Sequence, residues 1–246
     1  MARDSLPATV AAMNFMMVLT TLSWLDALAL AAILLAWGGL GAWIEAENVA
    51  RPSVTVLMAH YRRAWMEELI NRDGRVFDAT ILTNLRQGTA FFASGAMLAT
   101  GGLLTLIGNS DQLIVVARDL TLEEETALIW QIKLLLTVVL LTQAVLRFVW
   151  SNRLFGYCAV LMAAVPNDPT DPRALPRAGK AAEINIRAAF NFNRGMRAIY
   201  FALGSLAWLL GPVPLIAAVL VISYVIWNRD FASASREVML SDGEQL

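Results

Sequence analysis

The chain is poor in the residues that build reactive and metal-binding sites. Its 246 residues include one cysteine, Cys158, and one histidine, His60. A lone cysteine excludes a disulfide within the chain and any cysteine-based zinc set. A single imidazole beside it falls short of the clustered ligands that most transition metals require. No metal and no cofactor is therefore expected. Charge is scarce too, at 16% of residues against about 25% in a soluble domain. The 19 basic and 20 acidic residues leave a net charge of −1, so no global field draws phosphate, and no nucleic-acid partner is expected. No nucleophile elbow, HExxH or P-loop is present. The pairs Gly38-Gly39 and Gly101-Gly102 lie in apolar runs and are not phosphate loops. No catalytic constellation emerges, and the expectation is a protein that is not an enzyme.

What the chain has is grease. Apolar residues make up 58% of it, and the mean hydropathy is +0.58. Residues 27–44, 87–108, 134–146 and 198–228 carry no charge. A bilayer-spanning helix needs about 20 mostly apolar residues, because every backbone polar group must be satisfied internally across about 30 Å of hydrocarbon. The last run is too long for one span, reaching about 46 Å as a straight helix. Gly211-Pro212-Val213-Pro214 in its middle favours a hairpin over one kinked, tilted helix. Five spans follow, over about 25–44, 87–108, 131–150, 194–210 and 213–228. Residues 1–24 read as an interfacial lead-in rather than a signal peptide, with Met13, Met16 and Met17 as alternative starts.

Tryptophans bracket two spans: Trp24 with Trp43, and Trp130 with Trp150. Each pair is about 30 Å apart on a helix, as interfacial belts require. Trp208 and Trp227 would lie at opposite faces of the hairpin. Basic residues cluster in 45–86 (Arg51, Arg62, Arg63, Arg72, Arg75, Arg86) and in 151–197 (Arg153, Arg173, Arg177, Lys180, Arg187, Arg194, Arg197). The loop 109–133 has only Arg118 and Lys133 against five acids. The positive-inside rule then puts the basic segments and the C-terminus in the cytoplasm and the N-terminus outside.

The basic segments are helical in pattern. Val54, Leu57, Met58, Tyr61, Trp65 and Leu69 recur at helical spacing. Further helices are expected over about 76–86, 151–165 and 178–193, beside one over 52–71. Residues 167–176 read as a proline-rich loop and 234–246 as a polar tail. Thr121 to Glu124 has the signature of a capping box. The fold class is all-α: a polytopic membrane bundle, residues 25–233, whose helices extend into a cytoplasmic helical bundle.

Several segments resemble one bacterial family of integral membrane proteins, domain of unknown function 599. They are Asn71-Arg72-Asp73 with Asp78, Ile81, Leu82 and Asn84; Phe91-Phe92-Ala93-Ser94; Phe148-Val149-Trp150-Ser151 with Phe155, Tyr157 and Cys158; Phe192 to Arg197 with Tyr200 to Leu203; and Asn228 to Phe231 with Ser233. Gly95 and Arg147 stand where the family often has Thr and Lys. The resemblance implies a multi-span membrane protein and supplies no activity.

Seven residues are candidates for a polar, lipid or pathway site. Arg147 lies inside the third span with Gln143 a turn earlier. It either snorkels to the interface or pairs with Asp78 or Glu45, or it lines a solute pathway. Asp78, Asn84 and Arg86, with Arg194 and Arg197 facing them, form either bundle-clamping salt bridges or an anionic-headgroup pocket. Asp26 reads as an exposed carboxylate at a helix start or a cation entry point. His60 reads as a surface histidine, Cys158 as a small core residue, and Glu123-Glu124-Glu125 as a solvated helix start. Gly38/Ala42 and Gly95/Ala99 suit close helix contacts, within the chain or between copies. The leading functional expectation is a non-catalytic accessory or scaffold subunit that docks a membrane-protein partner through its cytoplasmic bundle. The alternatives are a homo-oligomeric channel or transporter lined by Gln143 and Arg147, and a lipid-acting enzyme using Asp78, Arg86 and Arg194.

Overall fold

The structure is a computed structural model and describes residues 23–46, 50–109 and 127–241. Among these residues all regular structure is helical, and the chain is an all-α helical bundle. Helices α1 (Trp24–Ile44), α2 (Val54–Glu68), α3 (Val76–Gly108) and α4 (Ala127–Ala163) are followed by α5 (Ala174–Ser205), α6 (Pro212–Phe231) and α7 (Ala234–Ser241). Short 3-10 turns, Leu69–Asn71 and Leu206–Leu210, end α2 and α5. The triple-glutamate segment lies outside the described residues, as does nearly all of the N-terminal lead-in.

Local sequence sets the helix ends. Ser23 and Asp26 form a reciprocal capping box on α1: the Asp26 N–H donates to Ser23 Oγ (3.2 Å) and the Ser23 N–H to Asp26 Oδ2 (3.0 Å). Ser53 ties two helices together, donating to the Ile44 carbonyl (2.6 Å) and accepting from the Val56 N–H (3.2 Å). At the end of α4, Arg75 donates to the carbonyls of Met162, Val165 and Pro166 at 2.6–3.1 Å, filling acceptors that a helix terminus leaves open. Helix α5 begins at Ala174, inside the segment expected to be a loop. Its Pro176 falls in the first turn, where the missing N–H costs nothing.

Four helical stretches are long and apolar enough to cross a membrane by length and composition: Trp24–Ile44, Val76–Gly108, Ala127–Ala163 and Pro212–Ser241. Their apolar surface points outward, with Leu35 74%, Phe91 74% and Leu98 78% exposed. That pattern is an apolar coat, not a soluble surface. The expected fifth span, 194–210, is the end of α5 and its 3-10 turn. It is not one of the four, because the charge-free end of α5 runs only from Ala198 to Ser205, with Arg194 and Arg197 in the turns before it. Its apolar half still packs inside the bundle through Phe201, Ala202 and Trp208.

The chain reverses at Gly211, whose φ of 116° and ψ of 173° lie in a region open essentially to glycine alone. Arg229 of α6 donates to the Tyr200 hydroxyl of α5 (2.6 Å), and Gly204 lies against Ile222, so the two arms run antiparallel. Helices α4 and α5 form the closest pair. Gly195 lets the Phe148 ring approach so nearly that a Cβ would sit 2.8 Å from it. Within the chain, the pairs Gly38/Ala42 and Gly95/Ala99 do not make the close contact: a Cβ at Gly38 or Gly95 meets nothing within 4 Å.

At the basic end, α2 and the polar halves of α3, α4 and α5 close around a second core that includes Met66, Leu154, Phe155, Cys158, Ala178 and Ala182. The segment read as a polar tail includes α7, which rests on the α2 region through Arg236 Nε and the Pro52 carbonyl (3.0 Å). The tryptophan belts need revising. Trp130 is 1% and Trp208 2% exposed, so both are core residues, not interfacial ones.

A candidate anion site between α1, α4 and α5

The end of α1, the middle of α4 and the middle of α5 enclose a cleft of about 330 Å³, lined by Trp37, Gly38, Gly41, Glu45, Gln143, Arg147, Arg194 and Arg197. Four of the seven candidate residues meet here. Gly41 of α1 lies beside Arg197: a Cβ there would be in ordinary contact, 3.7 Å from Arg197 Nε and Nη2. Glu45, the first residue after α1, takes two of them. Arg194 Nε reaches its carboxylate oxygens at 2.9 and 3.0 Å, and Arg194 Nη2 and Arg197 Nη2 also pair with it. Arg197 is 6% exposed, so its charge depends on Glu45 for compensation.

Arg147 does not form the expected ion pair. It pairs with neither Asp78 nor Glu45; its Nη1 donates to Asn191 Oδ1 at 3.2 Å. The Asn191 amide nitrogen donates to the Arg187 carbonyl (2.9 Å), which leaves Oδ1 to accept. Among the described residues no carboxylate bridges Arg147. The cleft thus holds three guanidinium groups and one carboxylate, with the Gln143 amide beside them. A guanidinium matched only to an amide can exchange that bond for an anion's oxygens, and forked N–H groups suit carboxylate and phosphate.

The same face of α4 carries further polar groups. Lys133, Thr137, Gln143 and Arg147 fall within an arc of about 120° and span about 21 Å along the axis. Lys133 is 3% and Thr137 2% exposed. Lys133 is therefore not a loop residue: α4 begins six residues earlier and buries it. Thr137 Oγ1 and Ser205 Oγ are hydrogen-bonded at 2.7 Å. Nearer the start of α1, Trp208 Nε1 donates to Asp26 Oδ1 at 2.7 Å, and the Lys133 charge acts on the same carboxylate. Asp26 caps α1, but it is 9% exposed and so does not stand free at a surface. Leu140, between Thr137 and Gln143 along α4, belongs to one buried cluster with Ile33 and Phe201.

The other three candidates are held elsewhere. Asp78 is fully buried and accepts from Trp65 Nε1 (2.6 Å) and Arg72 Nη1 (2.5 Å), not from Arg194 or Arg197. Its neighbour in sequence, Arg72, won because a turn of six residues brings it there at little entropic cost. Asn84 faces a groove between α2, α3 and α5. Arg86 lines a small pocket of about 200 Å³ between α3 and α4. Asp78, Arg86 and Arg194, grouped as an enzyme's residues on sequence, thus have separate surroundings. His60 is exposed and Cys158 buried. Among the described residues no cluster of three or more potential ligands could hold a metal.

Sequence reasoning missed Lys133, Thr137, Asn191 and Ser205. A single polar residue within an apolar run was the available signal for Thr137 and Ser205. For Lys133 that signal was hidden by its position at the edge of the charge-free stretch.

No curated protein and no solved structure matches the chain. A family model does, described as protein of unknown function, DUF599, over residues 28–235. The match covers every residue of the cleft and most of each helix from α1 to α6. The chain therefore belongs to the DUF599 family.

Proposed function

We propose that this is a multi-pass protein of a bacterial inner membrane that binds a small anion between α1, α4 and α5 and conducts it along the polar face of α4. The observation that carries the reading is Arg147. It is a guanidinium at membrane depth, within a cleft of surplus positive charge, matched only by an amide. Ionisable groups at such depth are costly and mark solute or ion pathways by default. Lys133, Thr137 and Ser205 extend the polar face beyond the cleft. The apolar cluster of Ile33, Leu140 and Phe201, with Leu140 between Thr137 and Gln143 along α4, supplies the barrier a closed pathway needs. The excess of Arg and Lys in residues 45–86 and 151–197 supports a cytoplasmic mouth and an external N-terminus.

The test is flux in proteoliposomes. Chloride, phosphate and acetate are loaded separately, and wild type is compared with Arg147→Ala. Passage of at least one anion, lost in the variant, is expected. Silence with all three in the wild type would refute the reading.

A second reading, an accessory subunit, draws on the separate apolar core at the basic end, around Phe155 and Ala182. That core is more structure than a conduction path requires. Gentle purification tests it: a stoichiometric foreign membrane protein at elution supports it, and homogeneous protein alone counts against it.

A further inference from the structure

A second positively charged cavity lies on the other side of α5. Helices α2 and α3 both pack on neighbours but hardly on each other, and the gap between them is a groove of about 340 Å³, floored by α5 and by Phe155 of α4. That volume is in the range of small-molecule sites. Its walls are mainly apolar, with Met58, Leu85, Phe155 and Phe190 among them. Gly88 contributes no side chain, and a Cβ there would meet nothing within 4 Å. At one end stands Arg62, which donates to Asn185 Oδ1. Asn185 is fully buried and itself occupied with Cys158 Sγ (3.5 Å). Among the described residues no carboxylate pairs with Arg62, although its neighbour Arg63 has Glu183 at 2.9 Å. Burial draws the Arg62 guanidinium below its ordinary pKa, the mark of a charge kept from water without a counterion.

The groove has a direction. Arg62 is level with Asn185, and Thr55 with Asn193 (3.4 Å). Moving from Arg62 to Thr55 therefore approaches the apolar bundle. On α3 the same course runs from Asn84 to Thr89, across the point near residue 87 where the charge-free stretch begins. One end is cationic; the other lies by Thr89 and by Thr55, whose hydroxyl donates to Asp230 Oδ1 (3.0 Å), close to where the charge-free stretch of α3 begins.

We infer that this groove is a binding site for an anionic membrane phospholipid, its phosphate on Arg62 and an acyl chain laid past Gly88 into the hydrocarbon. Charge complementarity fixes the occupant's head and the apolar walls fix its tail. A soluble anion uses only the first feature, and a zwitterionic lipid meets Arg62 with a headgroup cation as well. The inference shares with the proposed function only the membrane setting; the Arg147 cleft plays no part in it.

The test uses the full chain in neutral detergent, titrated with mixed micelles of phosphatidylglycerol, with phosphatidylcholine, or with inorganic phosphate alone, and read by thermal melting and native mass spectrometry. Phosphatidylglycerol is expected to bind and raise the melting temperature, and the other two to do neither. Arg62→Gln should weaken that binding about five- to tenfold, and Arg62→Lys should keep most of it. Gly88→Leu fills the groove and leaves Arg62 in place, so it should weaken binding similarly in a folded protein. It also serves as the deciding variant should Arg62→Gln fail to fold. Equal binding of phosphatidylcholine, an equal effect of phosphate alone, or undiminished phosphatidylglycerol binding in Gly88→Leu would each overturn the inference. Anion flux in Gly88→Leu should remain as in wild type; flux lost in Arg147→Ala with lipid binding intact concerns the cleft alone.

Discussion

Arg197 and Glu45 meet where the middle of α5 passes the end of α1, and their side chains are only 7% and 12% exposed. Arg194 joins the same carboxylate from a more open position, 41% exposed. The pair therefore does two jobs: it joins helices distant in sequence, and it sets the charge of the cleft.

Removing Glu45 should be costly. Glu45→Gln removes the salt-bridge partner of the buried Arg197 and leaves only the Asp230 charge acting on it, a loss of about 3 kcal/mol. The exposed Arg194 contributes little of this, since surface pairs are worth at most about 1 kcal/mol. A fall of roughly 10 °C in melting temperature is expected. Adding Arg197→Met should restore part of it, because the orphaned charge goes too. A double-mutant cycle of thermal melts measures the coupling.

Arg147 should behave in the opposite way. Its one hydrogen bond to Asn191 is worth about 1 kcal/mol, so Arg147→Ala should lower the melting temperature by only a few degrees. The same change should abolish anion binding, measured by isothermal titration with phosphate and with acetate. A large destabilisation with retained binding would contradict this assignment.

Two glycines have backbone or packing duties that alanine cannot fill. Gly211→Ala forces a side chain onto a φ of 116° and should cost about 1–3 kcal/mol. Gly195→Ala puts a methyl group against the Phe148 ring, with an overpacking cost of about 1–3 kcal/mol. Phe148→Leu should relieve the second and leave the first unchanged. Melting of the three single variants and the two doubles that combine each glycine change with Phe148→Leu checks both statements.

The connection before α5 predicts a local acid response. Asp171 accepts from the backbone and side chain of Arg173, which holds its carboxyl at about 2, below the ordinary 3.8. The stabilisation is therefore complete above about pH 4 and fades as pH falls towards 2. It is local, because the groups that hydrogen-bond the carboxyl belong to Arg173, two residues away. Hydrogen exchange across residues 168–174 should accelerate over that window, beyond the intrinsic rate change, in wild type. It should not do so in Asp171→Asn.

How much of this was written in the chain depends on the range of the interaction. The charge-free stretches beginning at residues 27 and 87 appear as the apolar parts of α1 and α3. Asp26 marks a helix start, and Gly211 with Pro212 a reversal. Each of these features involves neighbours in sequence or a uniform solvent preference, so composition and spacing were enough. The same reasoning placed Gln143 and Arg147 on one face, since four residues make about one turn.

Pairing was another matter. Glu45 had Arg147, Arg194 and Arg197 to choose from, and Asp78 had those on α5 as well as its own neighbour Arg72. Only the crossing of α1 over α5, and the turn between α2 and α3, decided between them. Trp130 and Trp208 looked interfacial and Lys133 looked like a loop residue, because hydropathy records what a residue is, not which way it faces. The family of helices, their caps and their apolar coat follow from the chain itself, because those forces act locally or through the solvent. The two cationic cavities arise from packing: charges separated by up to about 150 residues become neighbours only when the helices dock.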